Sequence, residues 1–132
     1  MGTPIIPRQL GDGYQQLVFW KYALKMLSGR SEIECIGYED NTVKSYDDIV
    51  IKYSTSQIFR DSTISKEFIQ VKFHMRDDGL FTIDNLLDPS FINATQNSLL
   101  HNVVAAYKKL GEEEFKQCAF VIYSMWDVDQ RD

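Results

Sequence analysis

Apolar and polar residues alternate along two short segments, DDIVIKY at residues 47–53 and IQVKFH at residues 69–74. A period of two residues is typical of a β-strand, whose side chains point in turn to opposite faces of a sheet. After the opening aspartates the odd-numbered residues of both segments are apolar, so Asp48, Gln70 and Lys72 are predicted to share the other face. This parity selects the second of the two aspartates as the companion of Gln70 and Lys72.

The rest of the chain alternates between helical and strand-like patterns. Apolar residues at helical spacing predict a first helix over residues 14–27, with Asp12 as its N-cap and Trp20 on its buried side. A nearly continuous apolar run near the end of the chain is typical of a strand that is covered on both faces. The further predicted elements are a strand at residues 31–40, a polar connection at 54–65, a loop with a short helical turn at 76–90, a helix at 91–110 and a last strand at 116–125.

The order of these elements is helix, three strands, helix, strand. A helix between two strands of one sheet favours a right-handed crossover, so we predict an α/β fold with a mixed sheet flanked by helices. A chain of 132 residues fits one domain. We expect this single domain, residues 1–132, to be the N-terminal part of a longer multidomain protein.

The net charge and the two cysteines limit the class of protein and the cellular compartment that fit this sequence. The formal net charge is −5, which counts against a basic nucleic-acid-binding module, although a locally positive site or a bound metal would still serve nucleic acid. Cys35 and Cys118 lack metal-ligand spacing and are expected to be buried free thiols rather than a disulfide. Without a signal-peptide pattern or an apolar run of about 20 residues, we expect a cytoplasmic protein that does not enter a membrane.

A carboxylate, an amide and an ammonium on one patch suit phosphodiester chemistry. If the two alternating strands are antiparallel neighbours, the side chains of Asp48, Gln70 and Lys72 meet on one side of the sheet. The carboxylate and amide oxygens are hard donors that suit Mg²⁺, and the ammonium can stabilise charge on a phosphoryl group. The plainer interpretation of the aspartate pair is a solvated strand start, and that of Lys72 is a lysine reaching solvent from an edge strand.

The same residues resemble a known nuclease pattern. Asp48 followed by Gln70-x-Lys72, on the element order described above, resembles the PD-(D/E)xK nuclease superfamily in a D-QxK form. The segment GDGYQQ at residues 11–16 is similar to the opening helix of the nuclease domains in bacterial antiphage effectors, the Cap4-like endonucleases that are activated by cyclic oligonucleotides. The resemblance covers nearly the whole chain.

The resemblance implies a fold, a reaction and roles for individual residues. The fold would be a restriction-endonuclease-like αβββαβ core, and the activity a metal-dependent hydrolysis of double-stranded DNA within antiphage defence. Asp48 and Gln70 would bind Mg²⁺, or Mn²⁺ in its place, and Lys72 would be the catalytic lysine. Gln15 would approach the site from the first helix, and Glu34 would be a further acidic metal ligand.

Partners follow from the same resemblance, and some contacts are read from the residues themselves. We expect sensor or other domains of the same longer chain, and a homo-oligomer in the active state. His74 shares the even-numbered face and is a candidate substrate contact, although a strand-end histidine is the plainer interpretation. Lys108 and Lys109 are candidate phosphate contacts, or simply a solvated helix end.

The departure from the family pattern is Gln70, which stands where many members have an acidic residue. A neutral ligand leaves the site with one negative charge fewer, so we expect weaker metal binding. One alternative is therefore a catalytically inactive nuclease-fold scaffold or an oligomerisation or DNA-binding module. A second alternative is a generic α/β ligand-binding domain, which predicts Asp48 far from Gln70 and Lys72.

Overall fold

The computed structural model describes residues 5–29, 31–39, 46, 48–72, 79–92, 95–124 and 127–128. Within these ranges the helices are α1 (Ile5–Leu27), α2 (Ile83–Leu87), α3 (Leu99–Leu110) and α4 (Glu112–Phe115), with a 3₁₀ turn at Pro89–Ile92. The strands are β1 (Ile33–Tyr38), β2 (Ile49–Phe59), β3 (Ser62–Lys72), β4 (Leu80–Phe81), β5 (Cys118–Ser124) and β6 (Asp127–Val128).

One mixed sheet holds strands in the order β1-β2-β3-β5. β1, β2 and β3 are antiparallel neighbours, whereas β5 runs parallel to β3. A parallel pair needs a crossover connection, and the segment that carries α3 supplies it. The predicted order is therefore confirmed, and so is the α/β class with a mixed sheet flanked by helices, the layout of a restriction-endonuclease-like core. The short strands β4 and β6 pair separately.

Helices cover both faces of the main sheet. Val18 of α1 packs on the odd-numbered face, where the buried residues are Ile49, Ile51, Ile69 and Val71. Leu99 and Ala106 of α3 pack on the even-numbered face, where Val50 and Phe68 are buried. Each large apolar side chain removed from water contributes about 1.5–3 kcal/mol. Asp48, Gln70 and Lys72 therefore belong to a face that a helix partly covers, and not to an open solvent face.

The first helix is longer and more exposed than the sequence predicts. α1 begins at Ile5 rather than at Tyr14, and it ends at Leu27 as predicted, with Gly29 at φ +67° just beyond it. The predicted buried stripe is only partly correct, because Val18 is buried while Trp20 is 55% exposed.

Residues 54–65 are not the predicted polar connection. They form the outer half of a β-hairpin, in which β2 continues to Phe59 and β3 starts at Ser62. Arg60 takes a positive φ of 54° in the turn between them. The sequence pattern does not indicate these strands, because most of their side chains are exposed and form no apolar stripe. Backbone hydrogen bonds between β2 and β3 hold them together instead.

The second long helix starts later than predicted. Phe91 lies in the 3₁₀ turn, and α3 begins only after Ser98, whose side chain accepts a hydrogen bond from the His101 backbone N–H. His101 Nδ1 in turn accepts from the Ser98 backbone N–H at 3.1 Å, which completes a capping box. Gly111, at φ +83°, ends the helix as predicted.

The two cysteines differ in environment. Both thiols are free, but Cys35 is exposed rather than buried as predicted. Cys118 is half-buried, and burial raises the pKa of its thiol above the usual value. Among the residues that the structure describes, no helix combines the length and the apolar character needed to cross a membrane.

Candidate functional site

The candidate residues lie at one end of the main sheet, where β2 begins and where β3 and β5 end. Asp48 directly precedes β2, and Ile49 pairs with Ile69 in the antiparallel register. One step further along the same register, Asp48 lies opposite Gln70. Lys72, the last residue of β3, pairs with the last residue of β5. The side-chain parity read from the sequence thus places Asp48, Gln70 and Lys72 on one face at one end of the sheet.

A hydrogen bond fixes the Asp48 side chain between its two companions. The Val71 backbone N–H, which lies between Gln70 and Lys72 in the chain, donates to Asp48 Oδ2 at 2.8 Å. The Asp48 backbone carbonyl accepts from the Glu39 N–H at 2.9 Å. Both the carboxylate and the backbone of Asp48 are therefore held. The alternative of a generic ligand-binding domain, which predicts Asp48 far from the other two residues, is wrong on this point.

Gln70 presents a side-chain oxygen that receives no hydrogen bond from the described part of the chain. Its Oε1 is buried and accepts no hydrogen bond from the residues that the structure describes. Leaving a buried acceptor without a donor costs about 1–3 kcal/mol. Buried polar atoms are paired in the great majority of cases, so an orphaned one calls for a reason beyond folding. An amide oxygen that binds a cation would provide that reason.

Lys72 carries a half-buried ammonium close to a carboxylate. Burial lowers the pKa of Lys72 from its ordinary value, and the negative charge of Asp48 opposes part of that shift. In the described part of the chain, no salt bridge involves Lys72. A lysine with a lowered pKa is a better proton donor near neutral pH than an ordinary surface lysine. Its position suits contact with a charged oxygen of a substrate.

Acidic side chains surround this end of the sheet. The pKa of the Tyr38 hydroxyl is raised, first by burial and then by the charges of Glu39, Asp12 and Asp48. These carboxylates make the local potential negative, which favours a cation. No group of three or more His, Cys, Asp or Glu side chains within the described ranges has the geometry of a metal site. A cation held here would therefore use Asp48 and Gln70 and fill its remaining positions with water and substrate, as Mg²⁺ commonly does.

Gln15 reaches the same end of the sheet from the other face. Its neighbour Tyr14 contacts the ring of Tyr123 with the ring centroids 6.3 Å apart, and Tyr123 pairs with Val71 in β3. The Nε2 atom of Gln15 is buried and donates no hydrogen bond to the described residues. Gln15 is thus a second side chain with an unsatisfied amide at this level of the sheet, but it approaches from the α1 side.

The remaining predicted residues are not brought to this cluster. Glu34 is exposed and lies four positions before Tyr38 along β1, which at 3.3 Å per residue is on the order of 13 Å from the site end. Lys108 and Lys109 are exposed in the last turn of α3, near the start of β5 and hence at the opposite end of the sheet. His74 lies outside the described residues, as does Asp47.

Two features of the site could not be read from the sequence pattern. The Val71 N–H is a backbone group, and only the hairpin register directs it at Asp48. Ser124 stands beside Lys72 on the same face, because parallel neighbours in register point their side chains the same way. Its only sequence signal is its place at the end of the last apolar strand. Only the parallel pairing of β3 with β5 shows that Ser124 lies next to Lys72.

Comparison with known proteins adds one relative. No protein-family model matches this chain. Among curated proteins, CD-NTase-associated protein 4 of Enterobacter hormaechei subsp. hoffmannii (strain UCI 50) is 29% identical over 111 residues, which cover 80% of this chain. The match covers 22% of that relative, so the chain spans about a fifth of the length of the curated relative that it matches. This similarity supports the predicted relationship to Cap4-like proteins, while the D-QxK form of the nuclease motif stays a prediction.

Proposed function

We propose that this chain is a metal-dependent endonuclease domain that hydrolyses phosphodiester bonds of double-stranded DNA. The observation that carries the proposal is the position of the Asp48 carboxylate, which the Val71 N–H holds between Gln70 and Lys72. The buried and unsatisfied Gln70 oxygen beside it supports a cation site. A second support is the similarity to CD-NTase-associated protein 4. It favours a role as the effector module of a bacterial antiphage defence protein.

The chemistry of the donor set fits a hard divalent cation. Asp48 and Gln70 would hold Mg²⁺, or Mn²⁺, through one carboxylate oxygen and one amide oxygen. When bound, the ion supplies Lewis-acid polarisation of a phosphoryl oxygen. Four waters or substrate oxygens would complete an octahedral shell, which leaves room for a phosphate group.

The chain's own residues would carry the remaining steps. The Val71 N–H fixes the direction of the Asp48 carboxylate, so no rotamer has to be ordered when substrate arrives. Lys72 would hold its ammonium against a non-bridging phosphate oxygen and stabilise the charge that develops there. Because burial lowers the pKa of Lys72, the same group can also donate a proton to the leaving oxygen. Loss of the ammonium should therefore lower kcat more than it raises KM.

A plasmid-cleavage assay with two lysine variants tests the proposal. Wild-type protein is incubated with supercoiled plasmid at low salt in Mg²⁺, in Mn²⁺ and in EDTA, because a net charge of −5 predicts weak DNA affinity. We expect nicking and linearisation with either metal and none in EDTA. Lys72→Met should lower the cleavage rate by about 10²-fold or more.

Lys66 provides the matched control. It lies on the same strand and the same face, at the far end of the sheet, where it forms a salt bridge with Glu114 at 3.2 Å. Lys66→Met should cleave at the wild-type rate. No cleavage by wild type under any metal condition would instead favour the inactive nuclease-fold scaffold. Equal loss in both variants would contradict the role of Lys72 while leaving the nuclease class open.

A further inference from the structure

α1 carries two apolar faces, and the sheet covers only one of them. Val18 and Ala23 are buried toward β1, β2 and β3, with Tyr22 packed beside them. On the opposite side of the helix, five large apolar side chains point to solvent. We call this set the α1 stripe, and its members with their exposed fractions are Leu10 (46%), Leu17 (69%), Trp20 (55%), Leu24 (62%) and Leu27 (72%).

The spacing of the α1 stripe is that of a heptad seam. Leu10, Leu17 and Leu24 recur every seven residues, and Trp20 and Leu27 fall three residues after the second and third of them. Positions a and d of a coiled coil have this spacing, and they face a partner helix along a narrow seam. Along α1 the stripe runs about 25 Å at 1.5 Å per residue.

The exposed apolar area of the α1 stripe is large for a single chain, although it stays within the range of free monomers. Five such side chains at these exposures present on the order of 500 Å² of contiguous apolar surface, at the upper end of the range for monomers. Two stripes facing each other would bury on the order of 1,000 Å², which is the lower bound expected of a specific interface.

Charge permits a copy of the same helix to lie against the stripe. Of the positions within α1 that flank the heptad seam, e and g, only Lys21 is charged. In a parallel pair it would lie opposite Gln16 of the other copy, so no like charges meet. Lys21 already donates a hydrogen bond to the Tyr123 hydroxyl at 3.0 Å within its own protomer. A symmetric seam of this kind is self-complementary, as a two-fold interface must be.

We propose that the α1 stripe is a dimer interface between two copies of this chain, which pair through their α1 helices as a two-stranded coiled coil. The proposal does not depend on nuclease activity. It also explains why residues with the sequence pattern of a core are exposed in the single chain: a second copy covers them.

Sedimentation and light scattering over a range of protein concentrations test the interface. Wild type should change from monomer to dimer as its concentration rises. The double substitution L17E/L24E places two carboxylates in the seam and should raise the dimer dissociation constant by about 100-fold or more. Both residues are exposed in the single chain, so circular dichroism should report an unchanged fold. If that double variant loses helicity, L17Q/L24Q replaces it.

The matched control puts the same change on other exposed apolar residues. I58E/V104E alters side chains that are 85% and 54% exposed on the hairpin and on α3, and it should dimerise like wild type. In a Trp126→Phe variant, whose one tryptophan is Trp20, the emission should shift to shorter wavelength as that variant dimerises. A wild type that stays monomeric at all concentrations would overturn the proposal. So would an L17E/L24E variant that still dimerises, or a loss of dimer in both double variants.

Discussion

Both faces of β3 carry polar side chains, but Glu67 on the α1 face and Gln70 on the α3 face differ in their hydrogen-bond partners among the described residues. On the α1 face, Glu67 accepts a hydrogen bond from the Tyr53 hydroxyl at 3.1 Å. On the α3 face, Gln70 Oε1 accepts no hydrogen bond from the described residues, and Lys72 forms no salt bridge with them. β3 therefore carries a hydrogen-bonded carboxyl, Glu67, on its α1 face. Three residues further on, its α3 face carries Gln70 and Lys72, which we call the incomplete cluster because these contacts are missing among the described residues.

This difference separates a structural polar group from a candidate functional one. A partly buried carboxyl with a hydrogen-bond partner costs less than one without, and it needs no ligand to explain it. An orphaned amide oxygen and a desolvated ammonium destabilise the fold, and they persist where a ligand offsets that cost. Residue type alone would have pointed to Glu67, because an acidic residue is the commoner metal ligand. The lack of a hydrogen-bond donor to the Gln70 oxygen among the described residues points to Gln70 instead.

Removing the charge of Asp48 should have the largest effect on activity. Asp48→Asn keeps an oxygen that can accept from the Val71 N–H but loses the anionic ligand, so cleavage should fall by about 10³-fold with little change in melting temperature. Plasmid cleavage and thermal unfolding measure the two effects separately. Asp48→Ala should in addition lower the free energy of unfolding by about 1–3 kcal/mol, because the Val71 N–H loses its acceptor.

Asp61, in the hairpin turn at the far end of β3, is the control for this charge change. Asp61→Asn should leave cleavage unchanged. If Asp48→Asn cleaves at the wild-type rate while retaining its fold, the incomplete cluster on the α3 face is not the active centre.

Changing Gln70 should move stability and metal binding in opposite directions. Gln70→Met removes the orphaned oxygen, so the free energy of unfolding should rise by about 1 kcal/mol and Mn²⁺ binding should be lost. Gln70→Glu adds an anionic ligand beside Asp48, so Mn²⁺ should bind about tenfold tighter while the metal-free protein melts at a lower temperature. Calorimetric titration with Mn²⁺ and thermal unfolding, each with and without the metal, measure these changes.

The control for the Gln70 substitutions is Gln57, a glutamine on the neighbouring strand β2 whose side chain is hydrogen-bonded. Gln57 Nε2 donates to the Thr55 carbonyl at 3.0 Å, so Gln57→Met has no orphaned atom to remove. It should not raise stability and should leave Mn²⁺ binding intact. A Gln57→Met variant that gains as much stability as Gln70→Met would mean that the gain comes from added apolar surface rather than from the removed oxygen.

The sequence predicts much of this site because alternation of period two is a local property. Parity alone put Asp48, Gln70 and Lys72 on one face, and the element order predicted the neighbouring strands. The α1 stripe shows the limit of the same reasoning. Apolar periodicity indicates that a face is covered, but it does not say whether the sheet or another molecule covers it. The pattern therefore places Trp20 in the core, whereas Trp20 is exposed in the structure.

Contacts that depend on register were beyond the sequence. The Val71 N–H meets Asp48 only because Ile49 pairs with Ile69, and a shift of one residue would send Gln70 to the other face. Glu34 illustrates the converse error. Its residue type suited a metal site, but its place along β1 sets it at the wrong end of the strand.

From Glu67, the hydrogen-bonded carboxyl on the α1 face of β3, we predict a small dependence of stability on pH. Burial raises the pKa of Glu67 above its usual value of 4.5, although the Tyr53 hydrogen bond opposes the shift. A carboxyl with a raised pKa holds its proton more tightly in the folded state. The contribution of Glu67 to the free energy of unfolding is therefore fully present below the unfolded pKa, and it is lost as pH rises from about 4.5 through the folded pKa.

Glu67→Gln keeps the shape of the protonated carboxyl and should remove this dependence. Its melting temperature should match that of wild type near pH 4 and exceed it by about 2–4 °C at pH 7. Tyr53→Phe should act in the opposite direction, because loss of the hydroxyl leaves the carboxylate without its donor and steepens the decline with pH. Parallel melting curves for wild type and Glu67→Gln from pH 4 to pH 7 would mean that Glu67 is ionised at little cost. The α1 face of β3 would then be as permissive of charge as the surface, and the contrast between the two faces would rest on Gln70 and Lys72 alone.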